Sequence, residues 1–154
     1  MTAFSLSNPV FVTYVITGSI MILKLMGQGW MTVYRMLKID GGWASPEDMQ
    51  PGLINRNPRP GQLDVNDYVD RSRRMHHNDL ENILPFLAAG LIFVAVEPSL
   101  MLANILMYTF VGARLIHSLV YVTKQSHEIR ATFYTIGSIV VVVMAAYSLV
   151  AVLR

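Results

Sequence analysis

ATFYTIGSIVVVVMAAYSLVAVL, Ala131–Leu153, carries no charged side chain from end to end. A helix that crosses a bilayer needs about 20 mostly apolar residues, so this stretch is long enough to span. A second run, Val10–Tyr34, is interrupted only by Lys24. The runs Asn82–Val96 and Ser99–Ala113 are too short to span alone, and each needs a polar end. Asp67–Glu81 supplies the first and Arg114–Tyr121 the second. Punctuation falls between these segments: Glu97-Pro98 is a turn between helices two and three, and Gln125-Ser126-His127-Glu128 joins three to four. The reading is an all-α integral membrane protein, a bundle of four transmembrane helices at about 9–38, 66–96, 98–124 and 128–153. A long Gly/Pro-rich loop, Ile39–Asn66, joins the first two.

Composition agrees. Of 154 residues 53% are hydrophobic and only 14% charged, against about 25% charged in soluble domains. A net charge of +2 with clustered basic residues gives no nucleic-acid partner. Without cysteine there is no disulfide framework, thiolate metal site or cysteine nucleophile, so thiol chemistry must use a thiol brought by a ligand. We expect no resident metal. The N-terminal residues lack a basic region and a cleavage site, so the first apolar run is expected to remain as a helix. Arg35, Lys38, Arg56, Arg59, Arg71, Arg73, Arg74, Lys124 and Arg130 share the side of the long loop, while Glu97 and Arg154 lie opposite. The positive-inside rule then predicts a cytosolic loop and lumenal termini.

Helix two would run about 45 Å at 1.5 Å per residue, longer than a ~30 Å hydrocarbon core. In its polar half Arg71, Arg74, Asn78, Glu81 and Pro85 recur at spacings of three and four and share one face. Helix three repeats the pattern with Arg114, His117 and Tyr121; helix four opens on Arg130 and continues through Tyr134 and Ser138. Taken singly, His117 reads as a hydrogen-bonded structural histidine, and Arg114 and Arg130 as arginines that snorkel to headgroups. Ionisable groups on three helices at one depth read differently. Together they predict a basic pocket with one carboxylate, suited to an anionic, polar ligand entering from the cytosol. Lys24 has no such companion in sequence.

These residues resemble the family of membrane-associated proteins in eicosanoid and glutathione metabolism (MAPEG). The likeness is strongest to its microsomal glutathione transferase and microsomal prostaglandin E synthase branches. Ala44-Ser45-Pro46-Glu47-Asp48 is similar to the family's A-N-P-E-D. Val69-Asp70-Arg71 and His76-His77-Asn78-Asp79-Leu80-Glu81 are similar to V-E-R…H-R-N-D-x-E. Pro85-Phe86, Gly112–Tyr121 and Ile129-Arg130 extend the likeness over nearly the whole chain, read as a single domain over residues 1–154.

The resemblance implies a homotrimer with glutathione bound between neighbouring subunits. Carried across by position, Arg71, Arg74, Asn78, Glu81, Arg114, His117, Tyr121, Arg130 and Tyr134 are implied glutathione contacts. Arg35 and the loop residue Asp48 join them, although the spacing from Arg35 to Trp43-Ala44 is about two residues longer than in the family. His77 is a further implied contact, to a glutathione carboxylate; it stands where the family has arginine, which makes its charge pH-dependent. Ala131 replaces a serine and Ser138 a glutamine of the prostaglandin enzyme, whereas Tyr134-Thr135 leans toward that enzyme.

The implied chemistry is thiolate formation. A free thiol titrates near 8.5, and lowering that by about two units takes about 2.7 kcal/mol. Arg130 is the expected source, with Tyr134 or Tyr121 as hydroxyl donor. The expected protein is a membrane-bound glutathione transferase, with peroxidase activity open to it. It would act on a hydrophobic electrophile or lipid peroxide, among membrane lipids of the endoplasmic reticulum, with the mitochondrial outer membrane as the alternative site. Rival readings are a glutathione-dependent prostaglandin H to prostaglandin E isomerase and a non-catalytic lipid-presenting protein of the family. A haem protein is weaker, since nothing in the spacing pairs His76, His77 and His117 across the bilayer.

Overall fold

Each long helix begins on a short polar side chain that satisfies one of the open N–H groups of its first turn. In the computed structural model, which describes residues 2–154, Asn8 accepts from the Val10 N–H at 3.0 Å and starts α1 (Pro9–Ile39). Pro9 then sits where a missing N–H is no loss. Asn66 does the same for α2 (Asp67–Ala95), accepting from Tyr68 at 3.0 Å. Ser99 caps α3 (Leu100–Val122) through Leu102, and Ser126 caps α4 (His127–Leu153) through Ile129. Because Ser99 is spent as a cap, α3 opens two residues later than the sequence reading. A single 3₁₀ turn, Pro46–Met49, lies between α1 and α2, and there is no strand among the described residues. All four α-helices are long and apolar enough to cross a membrane.

Helix ends are equally local. Behind α1, Gly41 N–H bonds the Met36 carbonyl and Asp40 N–H that of Leu37, with Asp40 at φ 48°. Behind α3, Gln125 and Lys124 repeat the pattern on Val120 and Tyr121, with Lys124 at φ 59°. Both are paired-bond C-terminal motifs in which a residue other than glycine takes the left-handed position. Glu97, before Pro98, also has a positive φ of 49° instead of the extended backbone expected ahead of proline. Its N–H closes onto the Val94 carbonyl at 3.1 Å.

The chain packs as two compact units. The first joins the chain up to Leu25 with His77–Arg154, so it takes part of α1, most of α2 and all of α3 and α4. Its core is built from Met21, Ile83, Phe86, Phe93, Met107, Phe110, Val140 and Met144. Phe86 and Phe110 stack with centroids 3.9 Å apart. At the α1–α2 crossing the Tyr14 hydroxyl donates to the Leu87 carbonyl at 3.0 Å, and the ring lies against Gly90. A Cβ on Gly90 would come within 2.7 Å of that ring, so only glycine permits the approach.

The second unit, Met26–His76, holds the rest of α1, the connecting segment and the start of α2. Ser72 is fully buried there and receives hydrogen bonds from Gln28 (2.8 Å) and Thr32 (2.9 Å). The connecting segment is organised by Gln62, only 2% exposed. Its amide donates to Asp40 and accepts from Asn55 and the Arg59 N–H, and its carbonyl accepts from Trp43. Arg73 binds the Gly42 carbonyl and Asp70. Gly42 has φ +68° and lies against Val69, which leaves no room for a side chain.

Candidate functional site

Helical spacing delivers one set of polar groups to one place in the first unit. Asn78 of α2, His117 and Tyr121 of α3, and His127, Arg130, Ala131 and Tyr134 of α4 line a cavity of about 210 Å³. His117 and Tyr121 are one turn apart, as are Arg130 and Tyr134, so each pair presents one face. The Asn78 amide donates to the Tyr121 hydroxyl at 3.3 Å. His117 packs 5.0 Å from the Tyr121 ring and 6.4 Å from Tyr134, centroid to centroid.

Arg130 is the electrostatic feature of this cavity. Its guanidinium lies 4.9 Å over the Tyr121 ring, and its Nε donates to the Ser126 carbonyl of its own turn at 3.4 Å. It makes no ion pair among the described residues. A cation whose local partners are a ring face and a carbonyl retains charge for an anionic ligand.

Behind the Asn78 wall lies a buried charge cluster. Asp79, fully buried, contacts both Arg114 and Lys24 at 2.5 Å. Arg114, itself fully buried, also donates to the Asn78 carbonyl at 3.2 Å. Lys24 therefore does have a companion, on another helix. Arg114 belongs to this cluster and is not among the residues that line the cavity. Three atoms near it have no hydrogen-bond partner: Arg114 Nε and Nη1 and Asn82 Oδ1. His117 Nδ1 is likewise buried and unpartnered. Gly137 of α4 fits against Arg114 and Asn82, where a Cβ would meet both at 3.4 Å.

The remaining sequence-derived candidates are placed differently. His77 and Glu81 approach each other at 3.3 Å, with side chains 73% and 45% exposed, and neither lines the cavity. In the second unit Arg71 and Arg74 both engage Asp67, at 3.2 and 2.7 Å. Arg35 donates to the Tyr68 carbonyl at 3.0 Å and lies over that residue's ring. Asp48 accepts from the Ala44 and Ser45 N–H groups and so closes the 3₁₀ turn. His127 was missed by the sequence reading. It stands three residues before Arg130 and seven before Tyr134, a helical spacing that was there to be read.

Comparison with known proteins adds a lineage to this geometry. The sequence model of the MAPEG family matches residues 13–150. Microsomal glutathione S-transferase 1 of Sus scrofa is 33% identical over 142 residues, covering 91% of this chain and 89% of that protein. The Homo sapiens protein of the same name is also 33% identical, with the same coverage. Prostaglandin E synthase of Homo sapiens is 28% identical over 141 residues, covering 90% of this chain and 89% of that protein.

Proposed function

The chain belongs to the MAPEG family, and from that premise we propose that it is a membrane-bound glutathione transferase whose Arg130 cavity holds the glutathione sulfur as thiolate. One observation carries the reading: Arg130 faces a cavity shared with Asn78, His117, Tyr121 and Tyr134, and no carboxylate among the described residues lies within ion-pair distance of it. A cation at low local dielectric favours the ionised thiol, and a tyrosine hydroxyl adds a hydrogen bond to it. Tyr121 and Tyr134 are the hydroxyls within the lining.

The thiol proton passes to water, and the sulfur lone pair attacks an electrophile dissolved in the membrane. With an activated aryl halide a C–S bond forms and halide leaves. With an α,β-unsaturated carbonyl the C–S bond forms and the α-carbon takes up a proton. With a lipid hydroperoxide the sulfur attacks oxygen, an alcohol leaves, and a second glutathione reduces the sulfenic acid to give disulfide and water. The family resemblance supports Arg71 and Arg74 as contacts of the peptide's carboxylates and Glu81 as a contact of its amino group. The ion pairs of Arg71 and Arg74 with Asp67 are solvent-accessible, and such pairs contribute little and exchange readily for a ligand carboxylate.

A cavity of about 210 Å³ is below the roughly 300 Å³ at which pockets for drug-sized ligands begin. A tripeptide therefore needs further walls, which supports a homotrimer with glutathione between subunits. The basic asymmetry supports a cytosolic connecting segment, and the microsomal relatives support a microsomal membrane.

The test is a turnover screen of the purified protein in lipid with glutathione against halogenated aromatics, lipid hydroperoxides and prostaglandin H. Conjugation of the aromatics is the expected result, and native mass spectrometry of the same preparation should give a trimer. Turnover of prostaglandin H alone would move the assignment to the isomerase. A monomer with full turnover would remove the intersubunit site.

A further inference from the structure

The buried cluster behind the cavity contains one cation too many. Arg114 and Asp79 neutralise each other at 2.5 Å, and both are fully buried. Lys24 then adds a second positive charge to the same carboxylate, with its side chain only 11% exposed. Ionised groups in the hydrophobic part of a membrane protein are expensive, and an Asp–Arg pair alone would be cheaper than a triad with charge +1. Ionisable groups at such depth mark ligand or ion sites by default.

The cluster is wired to the cavity. Arg114 donates to the Asn78 carbonyl, Asn82 donates to the same oxygen at 3.4 Å, and the Asn78 amide holds the Tyr121 hydroxyl. His117 lines the cavity one turn from Arg114. Arg114 also keeps two buried N–H groups, Nε and Nη1, without an acceptor. Resting on the glutathione reading above, we propose that Lys24 is a positioning residue: through Asp79 and Arg114 it sets a surplus positive charge behind Asn78 that favours the anionic sulfur in the cavity.

The groups facing the sulfur are then Arg130, His117, His127, Tyr121 and Tyr134 from the lining, with the Lys24–Asp79–Arg114 triad behind. Arg130 acts at close range, whereas Lys24 acts at a distance and touches no ligand. Removing the Lys24 charge leaves the neutral Asp79–Arg114 pair intact, so the fold should tolerate it.

The experiment compares wild-type protein in lipid with Lys24→Met, Lys24→Gln and Lys24→Arg. It follows the ultraviolet absorbance of bound glutathione thiolate as pH is raised. In Lys24→Met and Lys24→Gln the bound thiol should titrate about one unit higher, and turnover at neutral pH should fall about threefold as the thiolate fraction drops. The KM for glutathione should rise by no more than about threefold, the linkage to the thiol's ionisation, and Lys24→Arg should restore the wild-type titration. Lys24→Gln keeps a hydrogen-bond donor to Asp79 without the charge. A purely structural Lys24 would therefore leave its thiol titration at the wild-type value, and that result overturns the proposal. A Lys24→Arg titration as high as that of the methionine variant overturns it too. Wild-type protein that binds glutathione without thiolate absorbance contradicts the parent reading instead, so the two failures are distinguishable.

Discussion

Replacing Arg130 with leucine should lower glutathione turnover about 30- to 150-fold at neutral pH, which corresponds to a loss of roughly 2 to 3 kcal/mol of thiolate stabilisation. The expectation follows from its position. Arg130 lies over the Tyr121 ring in the cavity and has no carboxylate partner among the described residues. With no ion pair to break, it is open to an anion that enters the cavity. The loss should shrink as pH rises, because the thiol ionises unaided above about 8.5. Glutathione affinity should fall much less than turnover if Arg71, Arg74 and Glu81 hold the peptide ends. A leucine variant that loses binding but keeps normal thiolate absorbance would make Arg130 a carboxylate anchor, and Tyr121 would then be the next source of activation.

The second large effect is on stability. Asp79→Ala should destabilise the protein by about 3 to 5 kcal/mol, since it strands two buried cations in contact distance of a missing carboxylate. Thermal denaturation in a fixed detergent or lipid reads this directly. Adding Lys24→Met to Asp79→Ala should recover part of the loss, because it removes one of the stranded charges. Equal stability of Asp79→Ala and wild type would mean that the cluster is water-filled in the membrane and carries no buried charge.

Much of the fold could be read along the chain because its determinants are local. An uncharged Ala131–Leu153 makes α4, Ser99 and Ser126 cap the helices that follow them, and Pro98 breaks the chain between α2 and α3. Helical periodicity likewise puts His117 beside Tyr121 and Arg130 beside Tyr134. Pairing between helices is another matter. Whether Lys24 of α1 meets Asp79 of α2 depends on the register of two helices packed through Tyr14, Leu87 and Gly90, and no spacing within one helix encodes it. The same limit explains Arg114. Its place in the 114–117–121 series suggested a ligand contact, whereas packing against Asp79 and Gly137 buries it completely. Asp79 lies one position off the Arg71–Asn78–Glu81 face, and that offset directs it to the Lys24 and Arg114 partners.

The most direct measurement is the ionisation state of glutathione bound to the wild-type protein at pH 7. Titrating glutathione into the purified protein in weak buffer reports thiolate by ultraviolet absorbance and released protons by pH. Thiolate absorbance should saturate with binding, with close to one proton released per glutathione bound. Saturable binding with no proton release, and no thiolate signal until the free thiol's own range near 8.5 is reached, would contradict the thiolate reading.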